Sequence, residues 1–578
     1  MQGILRNNTL VILLISLIAG LIFIPFIGNC PLFDWDEVNF AECAREMIVS
    51  GNYSQVQMNF RPFWEKPPFF IWLQALSMNL FGVNEFAARF PNAVCSIASL
   101  ISIYLIGKKI YSAKFGIVWC FVYVSTTLPY FYFKSGIIDP WYNLFIFLSV
   151  YNAFCFLNNP EGKKELLNAL AAGCFLGLAV LTKGPAALLV TGLTILAYLI
   201  WNRDLKVLLK RSFILFAFST LLIGGSWFLV EWAKGNGHII REFIDYQIRL
   251  YETGDSGHDG PFFYHVVVLL IGCFPTSIIF IFSYLSRNGL TPFQKRARKM
   301  FLLLFWVVLI LFSIVKTKIV HYSSLCYYPL TFVAALGIVN NFQQLRINSF
   351  LKVLYWICAI LLSIAFTAIG FVEHFKNSII SSGLIQDEFA VQNLSADVKW
   401  TGFEFLLGPM LLTGSILIYL SVTRKKIKLL YGGLFVQFLF ISLAIALIVP
   451  KIEQYSQHAA IEFYKSAAKH KCYIETEGFK SYAYIFYSNR LPEDYRNPDQ
   501  IKYVEKQLDA MEKSGFTRLS GFSTANTLWM EEGKIDRPAY LVSKTKDEQS
   551  LLKNVEIKKL YQKNGFSFFV RMPSKTDK

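Results

Sequence analysis

The chain has 578 residues, 54% of them hydrophobic and only 16% charged, with a mean hydropathy of +0.43. Soluble domains carry about 25% charge; here the apolar excess is gathered in runs of roughly 18–22 residues, the length that crosses a bilayer core as a helix, so a multispanning membrane protein is expected. The net charge of +17 does not point to nucleic acid, because the basic residues sit in the short loops of one side.

In chain order, thirteen spans are expected near 9–29, 86–106, 115–134, 140–157, 166–182, 185–201, 212–232, 262–285, 300–316, 321–340, 351–372, 403–422 and 430–450. The alternate loops carry the cations. Lys108, Lys109 and Lys114 follow the second span, Lys163 and Lys164 the fourth, Lys206, Lys210 and Arg211 the sixth, and Arg424 to Lys428 the twelfth. Acids are scarce there, so these loops are cytoplasmic by the positive-inside rule, and an odd number of spans puts the segment after Pro450 outside. The first run follows Arg6 and lacks a small-residue cleavage site, so it reads as a retained helix. The ten cysteines fall mostly inside apolar runs without CxxC spacing, which indicates neither a disulfide framework nor a zinc finger.

The acids collect in the outer loops. The first, from Gly28 to about Glu85, alternates charge with Trp35, Phe40, Trp64, Phe69 and Trp72. Helical spacing over Asp36 to Val49 puts Phe40, Ala44, Met47 and Ile48 on one side and Glu42, Arg45 and Glu46 on the others, which predicts a helix in the interface plane ended by Gly51-Asn52. Pro67-Pro68 precedes a second amphipathic stretch, Phe69 to Leu80. A second outer loop, Lys234 to Gly260, is polar; in it Arg241 and Arg249 flank Asp245 and are expected to share a helix face. Shorter outer turns read KSGIIDP (Lys134 to Pro140) and KTKIVHYSS (Lys316 to Ser324).

The expected organisation is a transmembrane domain over 1–450, with loops 30–85 and 234–260 forming a site, and a small soluble α/β domain over 451–578. In the latter, KCYIETE and PAYLVSK read as strands and QIKYVEKQLDAMEKSG as a helix. EIKKLYQKNGFSFFVRM reads as a hairpin turning at Asn564-Gly565.

Carboxylates at a membrane boundary are costly unless they face water, a partner or a substrate. Asp36 and Glu37 just past the first span, and Asp139 at the mouth of another, come from separate loops, with Lys66, Arg45 and Arg249 available nearby. Lys66 in EKPP, fixed by two prolines, suits a phosphate as a compact point charge. Lys183 in LTKGP is placed either to snorkel or to line a phosphate groove. Glu65 either holds Lys66 or ligates a divalent cation (Zn, Mg or Mn) with His258, His321 being a remote third candidate; two ligands do not define a metal site. Together these residues suit an enzyme acting on a lipid whose phosphate lies at the outer surface. Cations would neutralise the phosphate, and a carboxylate would assist displacement at the anomeric carbon.

The run DWDEVNFAECAREMIVSGNY, continued by FWEKPPFFIWLQALSMNLFGVNEFAARFPNAV, resembles the first outer loop of the aminoarabinose transferase branch of the GT-C membrane glycosyltransferases, relatives of the protein O-mannosyltransferases. The resemblance extends to KSGIIDPWYNLF, GLAVLTKGPAALL, GHDGPFFYH and FSIVKTKIVHYSSLCYYPL; beyond about residue 340 it rests on topology. It implies a polytopic α-helical GT-C fold with two interfacial helices in the first outer loop and a periplasmic C-terminal domain, in a bacterial inner membrane. It also implies a polyprenyl-phosphate sugar donor, and lipid A or another envelope glycan or protein as acceptor. By the same resemblance Asp36 matches the catalytic acid, Asp139 the second acid, Lys66 and Arg249 the cations at the lipid phosphate, and Glu65 the acid linked with a metal. This chain departs at Asn39, which stands where many members carry a cation, so sugar and acceptor stay open between an aminoarabinose-like transfer and a protein O-glycosyl transfer. A transporter is the contrasting class, but its polar groups would sit at mid-membrane, whereas here the charges collect outside.

Overall fold

The computed structural model describes residues 7–63, 65–158, 162–252, 260–284, 289–340, 342–344, 348–513 and 518–574. In a bilayer every backbone polar group must be satisfied within the chain, so apolar runs fold as helices. The described helices of the membrane part are α1 (Asn8–Phe23), α2 (Asp36–Ser50), α3 (Phe69–Phe81), α4 (Glu85–Ile110), α5 (Ala113–Val124), α6 (Thr127–Phe133), α7 (Asp139–Asn158), α8 (Gly162–Lys183), α9 (Ala186–Asn202), α10 (Arg211–Gly224), α11 (Ser226–Ala233) and α12 (Gly237–Glu252). They continue as α13 (Tyr264–Gly272), α14 (Thr276–Tyr284), α15 (Pro292–Ile314), α16 (Tyr327–Asn340), α17 (Ser349–Ile369), α18 (Val372–Ser381), α19 (Glu388–Leu394), α20 (Leu407–Thr423) and α21 (Ile427–Ser456). Among the described residues eight helices are long and apolar enough to cross a membrane, or up to eleven if each bent pair is one span. With the short apolar α1 and α9, these occupy the positions of the thirteen expected spans.

Three expected straight spans are broken instead: α5/α6 by 80°, α10/α11 by 45° and α13/α14 by 110°. The breaks fall at Ser125-Thr126, at Gly224-Gly225 and at Phe274-Pro275, where a short hydroxyl, a missing side chain or a missing N–H loosens the helix. Two of the breaks meet. Thr126 Oγ1 and Thr276 Oγ1 lie 2.8 Å apart, and the Thr126 hydroxyl donates to Val122 O. Small residues let α8 and α10 approach closely: a side chain at Gly173 would strike Ser219 and Phe216 O, and one at Gly177 would strike Ile223 and Gly224.

Outside the membrane part, β3 (Tyr473–Glu477), β4 (Ala539–Lys544), β5 (Ile557–Lys563) and β6 (Phe566–Arg571) form a sheet of order β3-β4-β6-β5, with β3 parallel to β4 and the other pairs antiparallel; β1 (Gln57–Met58) and β2 (Arg61–Pro62) make a small hairpin in the first loop. Asn564 and Gly565, at φ of 49° and 81°, make the expected β5–β6 turn, both in the left-handed region that such a two-residue turn requires. The expected domain border at 450/451 falls inside α21, which runs unbroken through Pro450 to Ser456 and carries the chain into α22 (His458–Ala467).

The larger departure concerns α2. It was expected to lie in the interface plane, with Glu42, Arg45 and Glu46 off its apolar side, but Glu37 to Met47 are all buried. Its apolar side packs with α3, and residues of α22 and of the segment Tyr482 to Tyr487 join the same core from the outer domain. The first outer loop is therefore the layer between bundle and outer domain, and charge on α2 has to be paired inside protein.

Candidate active site

Between these layers lies a cavity of about 2560 Å³. Asp36, Glu37, Glu65, Lys66, Asp139, Lys183, Arg249 and His321 all line it, although they come from six separate stretches of chain. Its flank toward the bilayer is apolar, built from Leu21 and Ile22 of α1 and Phe438 to Val449 of α21. Its outer wall is the outer domain, including the turn Gly478 to Tyr482.

Asp36 is the first residue of α2, and its half-exposed side chain faces the cavity. Glu37, one residue on and about 100° around the helix, is oriented quite differently. Its carboxylate accepts from Arg89 Nε at 3.0 Å and Arg89 Nη2 at 2.7 Å, and from the backbone N–H groups of Gly136 (2.5 Å) and Phe33 (3.0 Å). Burial would raise the Glu37 carboxyl, but Arg89 and these hydrogen bonds outweigh it and hold it below the usual carboxylate range. Arg89 spends its remaining donors on the carbonyls of Ile27, Cys30 and Pro31. Glu37, expected as catalytic, is thus a buried strut joining α2, α4 and the turn before α7; its lone pairs are already taken.

Asp139 opens α7 and is 2% exposed. Lys183, the last residue of α8, meets its Oδ1 at 2.6 Å. Asp139 was expected as the second acid and Lys183 at a phosphate groove or snorkelling; the two form an ion pair. Asp139 Oδ2 has no hydrogen-bond partner, and His321 Nε2 stands 3.9 Å from it. The same nitrogen stands 3.9 Å from Asp36 Oδ2. His321 belongs to the short 3-10 segment Val320–Cys326; its carbonyl accepts from Ser324, whose hydroxyl is also held by Asn143.

Two of the cations expected at a phosphate, Lys66 and Arg249, are grouped around Tyr246. Lys66 Nζ lies 5.1 Å and the Arg249 guanidinium 5.4 Å from that ring, close enough for cation–π attraction. From α12, Glu242, Asp245, Tyr246 and Arg249 reach the cavity: positions i, i+3, i+4 and i+7, one helix face. Arg241 does not line the cavity; a step of eight residues puts it about 80° around the helix from Arg249. Arg45 is likewise not a phosphate ligand. It is 3% exposed and bonds bidentately to Glu42, Nε at 2.7 Å and Nη2 at 2.5 Å, away from the cavity lining.

Glu65 lines the cavity, and His258 lies outside the described residues. Among the described residues no group of three His, Cys, Asp or Glu side chains is placed to hold a metal ion.

Sequence reasoning missed three participants. Arg89, a charge inside an apolar run, was detectable by that fact alone. Tyr246 carries no signal beyond its i, i+3 relation to Arg249. Lys480 of the outer domain stands over the rings of Trp35 (5.1 Å) and Tyr482 (5.4 Å), while Trp35 Nε1 donates to the Lys480 carbonyl; nothing local in sequence joins positions 445 residues apart.

Comparison with known proteins agrees with this architecture. Residues 65–229 match the family model of dolichyl-phosphate-mannose-protein mannosyltransferases. The chain is 26% identical over 367 residues to undecaprenyl phosphate-alpha-4-amino-4-deoxy-L-arabinose arabinosyl transferase 2 of Proteus mirabilis, covering 61% of this chain and 65% of that one. It is 28% identical over 334 residues to the corresponding arabinosyl transferase of Wigglesworthia glossinidia brevipalpis, covering 56% and 58%. The chain thus spans about three fifths of the length of the curated relatives it matches. Two crystal structures of ArnT from Cupriavidus metallidurans share its fold, each at 15% identity and covering 96% of this chain and 97% of that one. The TM-score is 0.73 for the apo state and 0.70 for the state bound to undecaprenyl phosphate.

Proposed function

This multi-pass membrane protein is aminoarabinose transferase-like and has the GT-C fold, and from that premise we propose that it moves a sugar from a polyprenyl-phosphate donor to lipid A or another envelope acceptor, at the periplasmic face of a bacterial inner membrane. The observation that carries the reading is the single cavity in which an apolar flank adjoins a cluster of cations and two carboxylates. A polyprenyl chain needs a lipid-facing apolar groove; Leu21 and Leu443 at its edge are 67% and 44% exposed. Its phosphate needs positive charge, which Lys66 and Arg249 offer on either side of Tyr246. The leaving lipid phosphate departs as an anion and needs no strong acid, only that charge. The anomeric carbon then sits toward Asp36, half-exposed, while Asp139 is buried behind it.

The outer domain closes the cavity from the acceptor side, with Lys480 held over Trp35 and Tyr482 at its wall. The test is mass spectrometry of lipid A and surface glycoproteins from wild type, a deletion strain and an Asp36→Ala strain with checked expression. Loss of one sugar mass from the same acceptor in both mutants supports the reading; retention of every sugar in the deletion strain refutes it.

A further inference from the structure

Three titratable groups at the floor of the cavity have an arrangement that sugar transfer to a phosphate would not require. His321 Nε2 stands 3.9 Å from Asp36 Oδ2 and 3.9 Å from Asp139 Oδ2. Asp139 Oδ1 is occupied by Lys183, and its Oδ2 is buried and otherwise unpartnered. Asp36 faces the cavity; the His321 side chain lies behind it, 15% exposed, and the Asp139 side chain lies deeper still, 3% exposed. The order from cavity to interior is therefore carboxylate, imidazole, carboxylate.

We propose that His321 is a positioning and proton-holding residue acting through Asp36, and that the acceptor of the transfer reacts through a neutral hydroxyl rather than a phosphate. This deepens the transferase reading and rests on it. Only a hydroxyl acceptor has a proton that must be taken up as the new bond forms. The acceptor oxygen forms a bond to the anomeric carbon, the bond from that carbon to the phosphate oxygen breaks, and the polyprenyl phosphate leaves with the electron pair. The acceptor proton goes to Asp36 and on to His321 Nε2, and the imidazolium formed lies between two carboxylates, with Asp139 as its buried counter-ion. A phosphate monoester dianion has no proton to give, so a base and a proton store behind it would be idle. It would also bring negative charge against Asp36, which makes no ion pair with Lys or Arg among the described residues, whereas Asp139 is already paired with Lys183. The 3.9 Å separations are longer than hydrogen bonds, but contacts of this kind commonly tighten once substrate is bound.

The experiment uses the full-length protein in lipid nanodiscs, the polyprenyl-phosphate fraction of the host membrane as donor, and envelope extract of a deletion strain as acceptor. Release of polyprenyl phosphate reports the transferase itself. The new linkage is then tested by mild acid, which cleaves a glycosyl phosphate and spares a glycoside. The inference expects an acid-stable sugar and about one proton released per turnover. Proteinase digestion and lipid extraction tell a protein hydroxyl from a glycolipid hydroxyl. His321→Ala is expected to lower kcat by about 10²-fold or more, the scale of acid–base assistance, with donor KM little changed. Added imidazole should restore at least tenfold of that loss, which a merely structural role would not allow. His321→Gln, which keeps the ring's approximate volume, controls for folding and should be as slow as His321→Ala without responding to imidazole. Polyprenyl phosphate release with an acid-labile product, or with no proton released, overturns the hydroxyl inference and leaves the transferase reading standing. Unaltered kcat in both His321 variants overturns the role of His321. No release of polyprenyl phosphate at all overturns the transferase reading and this inference with it.

Discussion

Lys183 Nζ lies 2.6 Å from Asp139 Oδ1, so the end of α8 and the start of α7 are tied by a nearly buried ion pair. Removing one member of such a pair leaves an uncompensated charge, at about 3–5 kcal/mol. Lys183→Met is therefore expected to lower the thermal unfolding midpoint of the purified protein markedly. The double variant Lys183→Met/Asp139→Asn should recover most of that loss while remaining inactive. Equal destabilisation of the single and double variants would show that packing, not charge, is what Lys183 provides.

Asp36 and Glu37 are adjacent acids with opposite expected phenotypes. Glu37 is 6% exposed and bound bidentately to Arg89; Asp36 faces the cavity. Glu37→Gln should cut the yield of folded protein and cost about 3–5 kcal/mol, while the protein that does fold keeps its turnover within a few fold. Asp36→Asn should leave the unfolding midpoint in place and lower kcat by about 10²-fold or more. Because Arg89 depresses the Glu37 carboxyl, the stability it supplies is present above the ordinary carboxylate range and is lost as pH falls through its lowered value. In Glu37→Gln that acid-side loss should flatten. Thermal melts across pH, paired with turnover per folded molecule, check both.

These contrasts mark how far the sequence could be read. Thirteen apolar runs and the basic loops between them are additive signals, and they yield the membrane architecture. The bends at Gly224-Gly225 and Phe274-Pro275 were visible as residues but not as angles, since their size depends on what packs alongside. Asp139 drew notice because charge at a membrane boundary is costly, Lys66 because two prolines fix it, Lys183 as a cation at the outer end of a span, and Arg249 by its helical relation to Asp245. The fold gathers them at one cavity. Which neighbour each charge faces was not legible. One helical step separates a cavity-facing Asp36 from a buried Glu37, and an Arg45 expected at a phosphate turns three residues back to Glu42. The cover over α2 comes from residues more than 400 positions away, which no local pattern in the first loop anticipates.

Lys66 and Arg249 flank Tyr246 at 5.1 and 5.4 Å. If they receive the donor phosphate, Lys66→Ala removes one charge-assisted hydrogen bond, about 1.5–3 kcal/mol, or roughly 10- to 150-fold in kcat/KM for donor. Tyr246→Ala keeps both charges but removes the ring between them, and a smaller loss of kcat/KM is expected. Titrating donor at fixed acceptor separates the two. An unchanged kcat/KM in Lys66→Ala would move the phosphate elsewhere in the cavity.

Asp34 links the first loop to the outer domain: its Oδ1 accepts from the Tyr482 N–H at 3.2 Å, and its own N–H donates to Gln457 Oε1 at 3.1 Å. Burial pushes its carboxyl up to about 6, against the opposing pull of Ser481, Tyr482 and Lys480. A carboxyl raised in the docked state holds its proton more tightly there than when the contact opens. Docking is therefore strongest below the ordinary carboxyl range and weakens as pH rises through about 6. Hydrogen exchange over Phe33 to Trp35 and Gly478 to Tyr482, corrected for the intrinsic rate, should show less protection at pH 7.5 than at pH 5. Asp34→Asn, which keeps an acceptor oxygen for Tyr482 and cannot ionise, should show the same protection at both. A wild-type protection that does not change between the two pH values would mean that Asp34 does not govern how the outer domain seats over the cavity.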